Sequence, residues 1–250
     1  MVEPIRVIAI KGIPLVSEGD DIADLILSAA CDQGLEIEDD DILVVAHSIV
    51  SKAEGRVVHR SEVEPSERAR EIALMNGFDA VHVELALRES RAIVRERGAL
   101  ITETHNGLVC NFSGVDRSNA PPDSFVLLPL DPDASAERIQ RAIQERTGRH
   151  VGVIISDTQG RPWRLGSVNV TIGAAGIGTL KYNRGRSDLY GRVLQRSTVC
   201  IADEVASAAE PVMGQSDEGV PVIIVRGYKC DSCKGTARDI QRPKDKDLFR

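Results

Sequence analysis

Two carboxylates and a hydroxyl stand directly after apolar runs at two separate points of the chain. Asp157 and Thr158 follow the apolar run 151–156, and Asp116 lies in the loop "SGVDRSNAPP" after a shorter run ending near Asn111. The end of a strand is where a rigid element presents side chains to a solvent-open edge. Oxygen ligands of this kind hold Mg²⁺ or Mn²⁺ and leave positions open for a substrate phosphate. The residues therefore predict a shared divalent-cation site; aspartates that only cap a turn or helix are the alternative.

Two further loops carry groups that suit a nucleotide. In "MGQSDEGVP", residues 213–221, two glycines bracket three acceptor side chains just before the last predicted strand. Ser48, Ser51 and Lys52 follow a buried strand, as phosphate-binding residues often do, but the chain has neither GxxxxGKS nor GxxxxGKT there and is not a P-loop. A solvated turn and a solvated surface lysine are the alternative interpretations of these two loops.

Three other patterns are less specific. Gly173, Gly176 and Gly178 miss the spacing of a dinucleotide-binding loop, so a Rossmann domain is excluded. Around Asp188, the arginines make a basic patch that suits an anionic substrate: Arg184, Arg186 and Arg192. A single CxxC, Cys230 and Cys233, is weak evidence for a zinc or redox site without a second pair or histidines.

Composition excludes several classes of protein. The 250 residues carry a net charge of −7, which argues against a nucleic-acid binder with its basic face. Five cysteines, an odd number in a chain too long to need disulfides, predict reduced thiols and a cytoplasmic protein. The first residues show no sustained apolar segment, so we expect neither a signal peptide nor a membrane span. Only 3% of residues are aromatic, and the core must be aliphatic.

Helices and strands are predicted in irregular alternation. The pattern favours strands at 5–10, 41–46, 151–155 and 221–225, with short ones at 92–95, 100–104, 107–111 and 124–128. Helices are predicted at 20–33, 65–75, 79–89, 131–148 and 201–209. The tail 230–250 is polar, and we expect it to be partly disordered. This order predicts an α+β fold with mixed, partly antiparallel sheets and flanking helices. Domain boundaries near 85–100 or 195–205 are open, because no clear linker marks either.

Several blocks together resemble one known family. "KGIPLVSEGDD", "SIVSKAEGR", "SGVDRSN", "VGVIISDTQGRPWRLG", "RSDLYGR" and "ADEVASAAEPVMGQSDEGVPVIIVRG" are similar, in that order, to the coenzyme F420-0:L-glutamate ligase family. The resemblance implies a ligase domain over 1–228, in one piece or in two subdomains, and a polar tail over 229–250. It also implies a family-specific α+β fold and an intertwined homodimer. The implied activity is the GTP-dependent addition of L-glutamate to F420-0, and of a second, γ-linked glutamate, with two Mg²⁺ or Mn²⁺ sites and K⁺.

The same resemblance implies roles for individual residues. Asp116 and Asp157 are the catalytic carboxylates and metal ligands, joined by Thr158 and by Gln215, where we expect an acidic residue in relatives. The implied GTP contacts are Ile13, Pro14, Leu15, Val16, His47, Ser48, Lys52, Asn119, Met213, Gly214, Gln215, Ser216, Asp217, Glu218, Gly219 and Val220. His47 stands where a small hydroxyl residue is expected.

The implied chemistry explains the predicted cation site. A carboxylate is a poor acyl donor until the γ-phosphoryl group of GTP converts it to an acyl phosphate, which the amine of glutamate then attacks. Two anions meet in the first step, so metal ions and Lys52 suit it. Two alternatives stay open: a related nucleotide-dependent ligase acting on another carboxylate, and a regulatory protein that holds GTP without turning it over.

Overall fold

A computed structural model describes residues 4–230 and 234–249. The strands are β1 (Arg6–Ile10), β2 (Ile42–Ala46), β3 (Val57–His59), β4 (Ser90–Arg95), β5 (Ile101–Thr104), β6 (Val109–Asn111), β7 (Ser124–Val126), β8 (Gly152–Arg161), β9 (Arg164–Ala175), β10 (Leu180–Tyr182), β11 (Thr198–Cys200) and β12 (Val222–Arg226). The helices are α1 (Ile22–Asp32), α2 (His47–Ala53), α3 (Glu67–Asn76), α4 (Ala80–Arg88), α5 (Pro132–Thr147) and α6 (Ile201–Met213). In this part of the chain, no helix is both long and apolar enough to cross a lipid bilayer.

The main sheet has five strands in the order β1-β12-β2-β8-β9. β2 and β8 run parallel, and every other neighbouring pair in this sheet is antiparallel. Because parallel neighbours end at the same edge of a sheet, the residues after β2 and the residues late in β8 lie beside each other. This edge is where the candidate site forms.

Period-two alternation divides the core between the two faces of this sheet. Leu43 and Val45 of β2 pack with α1, α2 and α5, whereas Ile42 and Val44 pack with α6 on the other face. Successive side chains of a strand point to opposite faces, and a strand covered on both faces is apolar throughout. The central strands are therefore held rigidly between two helical layers.

A second group of elements covers residues between β2 and α5. β3 pairs with β7, and β4-β5-β6 form a three-stranded antiparallel sheet beside α3 and α4. Two small apolar clusters hold this part, one around Phe125 and one around Ile72 and Leu100. β5 and β6 form a hairpin, in which Gly107, with a φ of 87°, donates its N–H to the Thr104 carbonyl and closes the turn. The α+β class with mixed, partly antiparallel sheets is thus confirmed.

The structure corrects two predictions on secondary structure and adds a long strand where none was predicted. The strand predicted at 151–155 does not end before Asp157 but continues to Arg161. The glycine-rich stretch 166–178 lies largely in β9, which pairs with β8 along most of its length. The segment after β2 is the seven-residue helix α2, which begins at His47 without a side-chain cap.

The C-terminal segment packs on the body of the protein over 234–249. It contains 3-10 turns at Ala237–Ile240 and Lys244–Lys246. Ala237 N–H donates to the Asp133 carboxylate at the start of α5, and Arg238 pairs with Asp131. The role of the CxxC motif, Cys230 and Cys233, is not tested, because Cys233 lies outside the described residues; Cys230 is half-buried.

Candidate active site

Asp157 lies at the point where β8 leaves the main sheet. Ser156 is its last residue paired with β2, opposite Ala46, and beyond it β8 is paired only with β9. His47 follows Ala46 directly, so the parallel pairing brings the imidazole to the aspartate: His47 Nε2 and Asp157 Oδ1 are 3.4 Å apart. Sheet register alone therefore joins two residues far apart in the chain.

The Asp157 carboxyl group is in an environment that disfavours its charge. Its side chain is 12% exposed, and this burial raises its pKa above the ordinary range. His47, the Gln159 amide and the Thr158 backbone N–H lower the pKa, while the negative charge of Asp116 raises it further. Asp116 and Asp157 therefore interact electrostatically, and a nearby cation would relieve both the burial cost and the repulsion between them.

Asp116 is held by a short backbone bridge and by its own turn. Its N–H and C=O exchange 2.9 Å hydrogen bonds with Val126, and its carboxylate accepts from the backbone N–H and the hydroxyl of Ser118. The turn-capping role weighed as the alternative is thus present. The two hydrogen bonds from Ser118 use only part of the Asp116 carboxylate, since an ionised carboxylate can accept about four hydrogen bonds.

Lys52 joins the Asp116 loop from α2. Its ammonium group donates a 2.6 Å hydrogen bond to the Asn119 carbonyl. Burial lowers the pKa of Lys52, and the charge of Asp116 opposes that shift. Lys52 is therefore a half-buried cation fixed beside the first carboxylate, which supports the phosphate-binding interpretation over the solvated surface lysine.

Thr158 connects the second predicted ligand loop to β8. Its hydroxyl donates to the Asn169 amide oxygen at 2.8 Å and accepts from the Gln215 side-chain amide. The same Gln215 nitrogen donates to Glu210 near the end of α6. Both hydrogen bonds use the Gln215 nitrogen, so its amide oxygen is not engaged by either of them.

The candidate metal ligands are oxygen atoms of three kinds: carboxylate, hydroxyl and amide. Within 4–230 and 234–249, His, Cys, Asp and Glu side chains form no group of three that could hold a metal ion. Two carboxylates, the Thr158 hydroxyl and the Gln215 amide are oxygen donors of the kind that Mg²⁺ and Mn²⁺ accept. One oxygen of Glu210 is also buried without a hydrogen-bond partner in the described structure. The chemistry of the site thus suits Mg²⁺ or Mn²⁺ rather than a thiolate-bound metal.

The remaining predicted GTP contacts fall on three segments of different burial. Val16 belongs to the main core, whereas Leu15 next to it is 93% exposed in the loop after β1. Met213 and Val220 are core residues that anchor the two ends of the exposed loop between them. The structure brings Gln215 to Thr158 and Lys52 to Asn119, and it places His47 against Asp157; Ser48 is half-buried on α2.

A family model matches residues 11–227, and its description is F420-0:gamma-glutamyl ligase. The chain belongs to this family. The match confirms the resemblance predicted from the sequence, and with it the expectation of an enzyme of the ligase class. It covers the Asp116 loop, β8, β9 and α6, so the candidate site lies wholly inside the F420-0:gamma-glutamyl ligase region, and the segment 234–249 lies beyond it.

Curated relatives of the F420-0:gamma-glutamyl ligase family are similar to this chain along nearly their full length. A protein of Methanothermobacter thermautotrophicus is 47% identical over 249 residues, which cover 98% of this chain and 99% of the relative. A protein of Methanopyrus kandleri is 47% identical over 96% of this chain and 97% of its own, and one of Archaeoglobus fulgidus is 42% identical over 98% and 96%. Each is named coenzyme F420:L-glutamate ligase.

Sequence reasoning missed several residues of this ligase-family site. Asn169 and Glu210 hold Thr158 and Gln215 and were not singled out. Cys110 is buried near Asp157, and burial followed by the charge of Asp157 raises the pKa of its thiol, so it stays protonated. A signal for Asn169 existed in "SVNVT", where an amide interrupts apolar residues, but nothing local marked the strand in which it lies.

Proposed function

We propose that the chain is a GTP-dependent coenzyme F420-0:L-glutamate ligase. The observation that carries the proposal is the buried Asp157 carboxylate, 3.4 Å from His47 and next in sequence to Thr158, which Gln215 contacts, inside a region that the family model matches. The activity in the name of the Methanothermobacter relative, which is 47% identical over nearly the full length of this chain, supports the proposal. A nucleotide-binding regulator would not need two carboxylates from separate segments of the chain.

The proposed reaction has two steps. A carboxylate oxygen of F420-0 attacks the γ-phosphorus of GTP, so that a carboxylate–phosphorus bond forms, the bond to the β-phosphate oxygen breaks, and GDP leaves. The amine of L-glutamate then attacks the acyl carbon and loses a proton, the amide bond forms, and inorganic phosphate leaves. The first step brings two anions together, so positioning and charge compensation are the main tasks of the protein.

Asp116, Asp157, Thr158 and Gln215 are the residues that would hold Mg²⁺ or Mn²⁺, at two sites. Such ions neutralise charge on a transferring phosphoryl group. Lys52 places a further positive charge beside Asp116, held by the Asn119 carbonyl. His47 faces Asp157 from α2 and limits how the carboxylate turns. The rigid core of β2 and β8 keeps these groups in place.

Other parts of the proposal follow from the same family resemblance. They are an intertwined homodimer, assistance by K⁺, a cytoplasmic location, and GTP contacts from residues 13–16, His47, Ser48, Lys52, Asn119 and the 213–220 loop. A second, γ-linked glutamate is part of the same proposal. Product mass reports the number of glutamates added, and sedimentation reports the assembly.

The decisive experiment is an incubation with GTP, Mn²⁺, L-glutamate and F420-0, followed by mass spectrometry of the product and measurement of released phosphate. We expect an amide product and phosphate release only when both F420-0 and glutamate are present. Phosphate release that ignores either substrate, or none with an unchanged F420-0 mass, would contradict the ligase assignment.

Variants separate the proposed ligands from other acidic residues. Asp157→Ala and Asp116→Ala are expected to abolish product formation, while Asp39→Ala, an exposed residue paired with Arg149, serves as the matched control and keeps activity. Circular dichroism checks that each variant is folded. Near-normal turnover of either site variant would refute the metal assignment.

A further inference from the structure

We propose that the tip of the β8–β9 hairpin binds the tricyclic deazaflavin ring of F420-0, with Trp163 as the stacking surface. The inference rests on the proposed function, which supplies the substrate. It adds a ring-binding site to the same strand that carries Asp157 and Thr158.

The hairpin tip presents an aromatic pair to solvent. Arg161 pairs with Arg164, so Pro162 and Trp163 form the two-residue turn. Trp163 is 81% exposed, and its ring lies 5.7 Å from that of Phe249 at an interplanar angle of 58°. Contact with Phe249 thus covers only part of the indole, and most of its surface remains open. An exposed tryptophan is unusual in a protein whose aromatic content is 3%, so its place needs a reason.

The charge at the tip is positive in an acidic protein. Arg161 and Arg164 face each other across the two strands, and neither forms an ion pair within the described residues. Arg161 donates from Nη2 to the Leu165 carbonyl, and its Nε is buried with no hydrogen-bond partner in the described part of the chain. Two arginines without an ion-pair partner in the described residues flank the Trp163 turn, and this suits a ligand that is both aromatic and anionic.

The length of the hairpin matches the length of the substrate. From Asp157 to Arg161, the last residue before the turn, the strand rises by about 3.3 Å per residue, or roughly 13 Å in all, and Trp163 lies in the turn just beyond it. A ribityl phospholactate chain joins the reacting carboxylate to the ring through about ten single bonds and extends roughly 12 Å, with the ring beyond it. A substrate whose carboxylate lies near Asp157 can therefore place its ring at the tip and its phosphodiester between the two, along the hairpin.

The two exposed aromatic side chains also distinguish this tip from an ordinary turn. β8 and β9 continue past the sheet by several residue pairs, so the hairpin is an arm that projects from the site edge. A turn that only connects two strands does not require an exposed tryptophan side chain. The same surface could instead cover a second copy of the chain, and the experiment below separates that outcome.

Trp163 is the one tryptophan of the sequence, so intrinsic fluorescence reports on the tip directly. Titration of the wild-type protein with F420-0, without GTP or glutamate and corrected with a free tryptophan derivative, is expected to quench the emission to saturation. Trp163→Ala should raise the KM for F420-0 by about 10- to 100-fold, the size expected for loss of one ring-stacking partner, with the KM for GTP unchanged. Trp163→Phe should stay within about threefold of wild type, because phenylalanine keeps a ring face.

Leu165→Ala is the matched control, since Leu165 is 99% exposed on the same hairpin but carries no ring. An unchanged KM for F420-0 in this variant supports a ring-specific contact. Absence of saturable quenching would overturn the inference, as would a Trp163→Ala variant with normal KM or with a changed molar mass in sedimentation. Failure of the wild-type protein to form any amide would sink the proposed function instead, and the fluorescence titration would still decide ring binding.

Discussion

Removing the charge of Asp41 should destabilise the protein more than any exposed ion pair could. Asp41 is fully buried just before β2, and Arg226, at the end of β12, donates to both of its carboxylate oxygens at 2.7 Å. Asp41→Asn keeps the shape but leaves a buried guanidinium without its main counter-charge. Breaking one side of a buried pair costs about 3–5 kcal/mol.

The expected cost lies near the lower end of that range. In Asp41→Asn the guanidinium group of Arg226 keeps two partners. It still donates a hydrogen bond to the Glu36 carbonyl and forms an ion pair with Glu38, whose side chain is 54% exposed. For a chain of this length, about 3 kcal/mol corresponds to a fall in Tm of roughly 6–12 °C.

Urea and thermal unfolding of wild type and Asp41→Asn measure the difference. The control is Glu137→Gln, which removes an exposed i,i+4 partner of Arg141 and should cost about 0.5 kcal/mol or less. The double variant Asp41→Asn/Arg226→Met should recover part of the loss, because an apolar replacement leaves no buried charge unpaired. Equal costs for Asp41→Asn and Glu137→Gln would refute the reasoning.

Three further predictions concern packing, nucleotide binding and pH. In Gly173→Ala the new Cβ would lie 2.3 Å from the Pro132 carbonyl oxygen, so urea unfolding should show that the free energy of unfolding falls by at least about 1–3 kcal/mol. In the control Gly160→Ala the new Cβ meets nothing within 4 Å, and the fall should be far smaller. Equal falls in the two variants would count against the packing argument. Lys52→Ala should raise the KM for GTP while leaving that for glutamate near normal in steady-state kinetics; equal increases would contradict a phosphate role. Burial lowers the pKa of His82, so the unfolded state binds a proton at higher pH than the folded state. The free energy of unfolding should therefore fall as pH is lowered below about 6.5, and thermal unfolding from pH 7 to 5 should show a weaker fall in His82→Asn; identical pH profiles would exclude His82 as the source.

Strong periodicity and caps made the core elements predictable. α5 begins after Asp131, whose side chain accepts from Ala134 N–H, and ends at Gly148 in the left-handed region, as the residue types indicated. β2 is an uninterrupted apolar run because helices cover both of its faces. Such signals are local, so they indicate a helix or strand even when its neighbours in the fold are unknown.

The elements at the site were harder to predict because their reasons are tertiary. β8 continues through the polar residues 157–161 as an arm, where neither alternation nor burial marks a strand. In β9, Gly173 is required by the close approach of Pro132, so glycine obscured a strand that packing specifies. α2 is short and lacks a capping side chain. The ligand candidates were recognisable by residue type, whereas their supports Asn169 and Glu210 act through contacts between distant segments.

The pairing of β1 with β12 joins Arg6 to Arg226, almost the two ends of the matched region. During synthesis the first strand must therefore wait, with an open hydrogen-bonding edge, until nearly the whole polypeptide has left the ribosome. At about 5–20 residues per second that delay lasts on the order of 10 to 40 seconds. A chain interrupted before β12 would keep two apolar strands, β1 and β2, without the neighbour that lies between them, and exposed edges of this kind recruit other chains. Premature termination should thus yield aggregates rather than a smaller active enzyme.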